Sequence, residues 1–240
     1  MEVTFLGHCG FAVDLGAQVL VFDYCPRFFK EEARELLLGL LHGRAPVIFV
    51  SHRHGDHFAE EIYDLPARLY VLGEGVPARN GAVTMPCGET RNFGELEVTA
   101  YRSTDEGAAF LVRAEGVVVY HAGDLNWWHW ESEPDPWNPD MEAAFRREVA
   151  PVLEEPIDLA FLTADPRQEA AWLWGFDYQM RGGKMRYAIP MHFWNRKSIP
   201  ARVRNAPTSA PYRDRILSLS ALGDRVTVPA GPRSDAGNPD

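Results

Sequence analysis

Short apolar runs, separated by Gly, Pro or polar turns, recur along the chain at residues 3–6, 11–15, 19–22, 47–50, 68–72, 96–100, 108–114 and 117–120, and again at 159–162 and 187–191. Runs this short and rich in Val, Leu, Ile and Phe predict strands. Two stretches change period. Residues 29–41 place Ala33, Leu36, Leu37 and Leu40 on one helical face, and residues 141–153 do the same with Phe145, Val149 and Val152, with charges opposite. Residues 56–65 also read as helical. The pattern predicts two β-rich halves, each flanked by helices, in one domain over residues 1–230. Residues 231–240, polar and rich in Gly and Pro, predict a disordered tail.

With 240 residues, 46% of them hydrophobic, the chain can bury a sizeable core. It opens directly into a strand, without a basic leader and long apolar segment, and no stretch approaches about 18 apolar residues. A cytoplasmic protein that neither spans nor anchors to a membrane is therefore expected. Cys9, Cys25 and Cys87 are odd in number and share no Cys-x-x-Cys spacing, which predicts neither a disulfide framework nor a zinc ribbon. Cys9 stands beside His8, the neighbouring base a nucleophilic cysteine would need, but the chain offers a stronger source of reactivity.

That source is Ser51-His52-Arg53-His54-Gly55-Asp56-His57, directly after the apolar run at 47–50. Four imidazole and carboxylate ligands on one short loop repel and desolvate one another unless a cation sits among them, and such donors suit zinc, manganese or iron. Residues two apart in an extended loop point the same way. His52 and His54 can then reach one ion, and Asp56 and His57 a second.

The His-x-His-x-Asp-His pattern resembles the signature of the metallo-β-lactamase superfamily. Two later segments strengthen the likeness: the run at 117–120 leads through His121-Ala122-Gly123 to Asp124, similar to the family's bridging aspartate, and Ala188-Ile189-Pro190-Met191 ends in His192, similar to its final ligand. The opening Thr4-Phe5-Leu6-Gly7-His8-Cys9-Gly10-Phe11 resembles the branch containing ascorbate-phosphate lactonases and N-acyl phosphatidylethanolamine phospholipases. The likeness implies an α/β fold, the four-layer αββα sandwich, and one or two divalent ions, zinc first and manganese or iron as alternatives. It also implies ligands His52, His54, Asp56, His57, Asp124 and His192. One family histidine is missing, since residues 101–107 contain none; Asp105, Thr104 or a water would take its place. His8 would touch substrate or support a ligand, and Asp23 would orient a histidine or cap a turn.

All seven tryptophans follow Asp124. Trp127, Trp128 and Trp194 lie close in sequence to Asp124 or His192 and can wall a pocket or pack a loop. The chain carries −10 overall, yet residues 181–215 hold nine lysines and arginines against Asp214 alone. Such a run is either a solvated face or an attraction for a small anion, with Arg186 and Arg196 nearest His192. The expected function is a metal-dependent hydrolase of a small, anionic ester, lactone or phosphodiester. Asp124 and Asp56 serve the catalysis, with Asp56 either a ligand or a proton acceptor. Rival readings are a nuclease of the same superfamily, a di-iron oxidoreductase, and a non-catalytic, metal-stabilised binding protein. Overall acidity argues against extended nucleic-acid binding, and oligomeric state is not legible.

Overall fold

The computed structural model describes residues 1–26, 30–79 and 81–229; the expected tail at 231–240 and the first residue of the expected helix at 29–41 lie outside them. An antiparallel meander of β1 (Glu2–Gly7), β2 (Gly10–Asp14) and β3 (Val19–Phe22) opens the chain. After α1 (Lys30–Leu41), strands β4 (Val47–Val50), β5 (Leu69–Gly73) and β6 (Ala82–Met85) add in parallel to β3. A second sheet begins with antiparallel β7 (Thr90–Phe93), β8 (Leu96–Arg102), β9 (Ala108–Ala114) and β10 (Val117–His121). Then α2 (Trp137–Leu153), β11 (Pro156–Thr163), α3 (Trp174–Gly182) and β12 (Lys184–Met191) extend it in parallel. Beyond α4 (Ile199–Asn205), β13 (Arg225–Thr227) returns to pair with β1. The sheets have seven and six strands, in the orders β13-β1-β2-β3-β4-β5-β6 and β12-β11-β10-β9-β8-β7.

Alternation along the strands sorts side chains between layers, because successive residues face opposite sides of a sheet. Val3, Phe5, Phe11, Val13, Leu20, Phe22, Val47 and Phe49 face the second sheet, in one cluster with Phe110, Val112, Val119 and Phe161. Their neighbours Leu6, Ala12, Val19, Val21, Ile48 and Val50 pack instead against Ala33, Leu37 and Leu41 of α1. The runs at 19–22 and 47–50 are apolar throughout because both faces of those strands are buried. On the far side, α2 packs on β8, and α3 and α4 pack on β11 and β12. The order is helix, sheet, sheet, helix, as the family resemblance implies.

The sequence pattern misses β6, β7 and β13, which are edge strands with exposed positions. It also misses α3 and α4. The expected helix at 56–65 is not formed; only a 3-10 turn at Glu60–Asp64 appears, because tight turns around His54 to His57 come first. Among the described residues, no helix is long and apolar enough to cross a membrane. At the centre, Phe161 is fully buried with its ring 4.2 Å from that of Phe11. Phe161→Ala should cost about 3–5 kcal/mol, the usual range for a buried phenylalanine, read as a lower denaturant midpoint at unchanged slope.

Candidate metal centre

Six strands deliver their C-terminal ends to one rim. β1 leads to His8, β3 to Asp23, β4 to Ser51 and His52, β10 to Asp124, β11 to Asp165 and β12 to His192. The backbone is bent hard there: His8, Asp23, His192 and Trp194 have φ of 50°, 39°, 62° and 56°, in the left-handed region that side chains avoid. Such conformations persist only where surrounding contacts over-determine them, and they gather at functional sites. Close approach also requires glycine. Gly123, at φ +52°, packs so tightly that a Cβ would sit 2.8 Å from Ser51 Cβ.

Two sets of donor atoms converge on Asp124. Its Oδ1 lies 3.3 Å from His57 Nε2 and 3.3 Å from His192 Nε2, while its Oδ2 lies 3.7 Å from His52 Nε2. On the Oδ1 side, Asp56 Oδ2 stands 4.0 Å from His57 Nε2, 3.8 Å from His192 Nε2 and 3.3 Å from His8 Nε2. On the Oδ2 side, His54 Nδ1 is 3.0 Å from His52 Nε2 and 3.5 Å from Asp105 Oδ2. Asp105 thus lies within one cluster with His52, His54 and Asp124, their donor atoms all within 4.8 Å of one another. Thr104 is occupied otherwise: its hydroxyl donates to Asn126 O at 2.7 Å and accepts from Asn126 N at 3.0 Å, fixing the loop after Asp124.

The far nitrogens of these rings are tied down. His57 Nδ1–H donates to Asp23 Oδ2 at 2.7 Å, and His192 Nδ1–H donates to Asp165 Oδ2 at 3.1 Å. Ser51 Oγ donates to Asp23 Oδ2 at 2.6 Å, which leaves it to accept from His52 Nδ1–H at 2.9 Å. With Nδ1 tied down, all three rings turn Nε2 toward the centre, the face through which metal-binding imidazoles coordinate once that nitrogen is deprotonated. His57 Nε2, His192 Nε2, Asp124 Oδ1 and both ring nitrogens of His8 are buried without a hydrogen-bond partner. The His57 and His192 nitrogens meet Asp124 Oδ1 only as ion-pair contacts at 3.3 Å, and a divalent cation among these atoms would satisfy them together. With bonds near 2.1 Å, donors around one ion stand about 3 to 4 Å apart, the spacing seen on the Oδ1 side.

Electrostatics carry the same signature. Burial drives His8 and His52 down to about 4, so both are neutral. Burial would also lower His192, but the Asp124 and Asp165 carboxylates outweigh it and raise the group to about 9. His57 rises well above its ordinary value in the same way, its burial overcome first by Asp124. Burial and the charge of Asp124 push Asp105 up. Cys9 is buried beside His57, and burial lifts its thiol to about 12, so it stays protonated.

The mouth of the centre is a cavity of about 160 Å³ lined by Thr104, Asp105, Asp124, Trp128, Trp130, Trp137, Met141 and Arg167. Trp128 belongs there, with Nε1 donating to Asp124 O at 3.0 Å and its ring 5.6 Å from His192. Trp194 covers His8 at 4.8 Å. Three expected wall and anion contacts are placed elsewhere. Trp127 turns the other way, against Phe145 and Trp174, since consecutive residues on a bent loop face opposite sides. Arg186 is six residues before His192 on β12, about 20 Å away along an extended strand, and donates to Pro229 O at 3.3 Å. Arg196 is exposed on the turn before α4, outside the cavity lining.

The cation at the mouth is Arg167, which the sequence reading passed over. Its Nε donates to Asp165 Oδ2 at 2.8 Å and its guanidinium stacks 4.5 Å from the Trp194 ring. Asp165 was missed as well, although it follows an apolar strand just as Asp124 does. Much of the basic run is engaged on the outside, with Arg181 on Asp177 and Lys184 on Glu154.

The family model described as the beta-lactamase superfamily domain matches residues 2–133. Among curated proteins, the chain is similar to a "UPF0173 metal-dependent hydrolase" of Pelotomaculum thermopropionicum, 28% identical over 149 residues that cover 52% of this chain and 62% of that protein. The chain thus spans less than two thirds of that relative's length. Among solved structures it resembles Igni18, a metallo hydrolase from Ignicoccus hospitalis, with a TM-score of 0.63, 15% identity, and 94% and 97% of the two chains covered. It also resembles the metallo-beta-lactamase fold protein YhfI from Bacillus subtilis, with a TM-score of 0.59, 12% identity, and 94% and 99% covered. At these identities the two structures speak to the fold.

Proposed function

Because the chain belongs to the beta-lactamase superfamily, we propose that it is a metal-dependent hydrolase of a small anionic ester, lactone or phosphodiester. The observation that carries this reading is the set of buried, unpartnered atoms converging on one point: His57 Nε2, His192 Nε2 and Asp124 Oδ1. His52, His54, Asp105 and Asp124 would hold one ion, and His57, His192, Asp56 and Asp124 the other. Zinc fits this nitrogen and oxygen set best, with manganese or iron as alternatives. Bound there, divalent ions supply Lewis acidity toward an acyl or phosphoryl oxygen and acidify water.

The chain's own residues do the rest. Asp23 and Asp165 fix the imidazole tautomers. Asp56 is held well below the usual carboxylate range, its burial outweighed first by His8, so at neutral pH it is a weak proton acceptor and serves better as a ligand. The indoles of Trp128, Trp130 and Trp137 exclude water from one side of the cavity. His54 and Asp105, with side chains 43% and 40% exposed, leave the other side open. Arg167, pinned by Asp165, offers the rest of its guanidinium to an anion. A cavity of about 160 Å³ admits a compact acyl or phosphoryl group rather than a polymer, which favours a small molecule over a nucleic acid.

The test is metal analysis of the purified protein together with turnover on phosphodiesters, lactones and thioesters. A folded protein with no affinity for zinc, manganese or iron would sink the reading. Arg167→Ala should raise KM for an anionic substrate by about 10-fold or more, the scale of a lost charged hydrogen bond, and leave KM for a neutral analogue nearly unchanged. Equal effects on both substrates would remove Arg167 from anion recognition.

A further inference from the structure

His8 sits on the β1–β2 turn at φ +50°, far in sequence from the other donors. His8 is 4% exposed, closed off by the Trp194 ring at 4.8 Å, and neither ring nitrogen makes a hydrogen bond of ordinary geometry, Nε2 having only a loose contact with Asp56. A histidine kept only for packing would satisfy at least one nitrogen or be replaced by an apolar side chain. A substrate contact would be reachable from the cavity, yet His8 does not line it. Instead the ring lies 4.4 Å from that of His192 and 5.6 Å from that of His57. Its Nε2 is 3.3 Å from Asp56 Oδ2, and donor atoms of His8, His57 and His192 all fall within 4.8 Å of one another.

We propose that His8 is itself a metal ligand, joining His57, His192, Asp56 and Asp124 around the ion on the Asp124 Oδ1 side. This rests on the reading of the centre as a metal site and extends it. The nitrogen missing before β10 is balanced, at the other ion, by one brought from the first turn of the chain. The two positions then differ in kind: three imidazoles and two carboxylates on one side, two imidazoles and two carboxylates on the other. The nitrogen-richer position holds zinc or iron(II) more tightly, and the oxygen-richer, more exposed one exchanges its ion more readily.

The experiment uses the full chain and its variants His8→Ala and His8→Gln, stripped and then reloaded with zinc or cobalt(II). Chelator competition should show the tighter affinity falling by well over about 100-fold in His8→Ala, beyond the roughly 10–100-fold that loss of an outer partner produces, while the looser one holds. The visible spectrum of the cobalt(II) protein should change at one position only. Melting temperatures supply a check that a packing role would not reproduce. His8→Ala should shrink the rise in melting temperature that loading produces, whatever the lost ring does to the metal-free fold, whereas a packing role would lower both melting temperatures alike. Variants that keep both affinities and the parent cobalt spectrum would overturn the assignment of His8 alone. A parent protein that binds neither metal would overturn the metal centre with it.

Discussion

Asp124→Ala should lose bound metal at both positions, with affinity falling by well over 100-fold, beyond the roughly 10–100-fold that loss of an outer partner produces. Among the described residues, Asp124 is the only carboxylate whose two oxygens face the two donor sets, Oδ1 toward His57 and His192 and Oδ2 toward His52. Its removal leaves those imidazoles crowded together without a shared anion. Turnover should fall in parallel, because occupancy and chemistry fail together. Asp124→Asn, which keeps the shape but halves the acceptor capacity, should retain more metal than alanine and still lose most activity. The measurement is metal content after gel filtration, with kcat/KM on whichever panel substrate the parent protein turns over. Full metal retention in Asp124→Ala would exclude a bridging role. Asp105→Ala should be milder and confined to the His52–His54 position, where Asp105 is a half-exposed donor.

The parts of this centre legible in the sequence are those whose chemistry is written by spacing. His52, His54, Asp56 and His57 sit on one loop after a run that is apolar because β4 is buried on both faces. Asp124 and His192 follow strands of the same character. What could not be read depends on direction rather than order. Trp127 and Trp128 are adjacent, yet one packs under α2 and the other walls the cavity. Arg186 lies near His192 in sequence, but an extended strand carries it to the opposite end of the sheet. Asp165 and Arg167 carry no motif; Asp165 is recognisable only once β11 is seen to end beside β12. Edge strands such as β7 and β13 escape notice for a related reason, since a strand with an exposed face and few apolar residues has no alternation to display.

Metal-free protein should be most stable near pH 6.5 and weaken on both sides, and metal should move that optimum upward. The sign follows from the histidines. His192 is raised to about 9 and His57 well above 6.5, so the stability they contribute is present below pH 6.5 and lost as pH rises toward 9. His8 and His52 are lowered to about 4, so the unfolded chain binds more protons between pH 6.5 and 4, and stability falls as pH drops through that window. Each proton changes the slope by about 1.4 kcal/mol per pH unit, which is several degrees of melting temperature for one group in a chain of this size. Loading the centre reverses the alkaline limb: His57 and His192 must give up protons to become ligands, so affinity rises with pH and protons are released on binding. Melting curves from pH 5 to 9, with a chelator and with excess zinc, would show the two profiles diverging above pH 6.5. Calorimetry in two buffers of different ionisation enthalpy would count the protons released. A metal-free protein whose stability keeps rising to pH 9, or metal binding without proton release at pH 7, would mean that His57 and His192 are neutral before the metal arrives. Their pairing with Asp124 would then be a pre-formed site rather than ion pairs awaiting exchange.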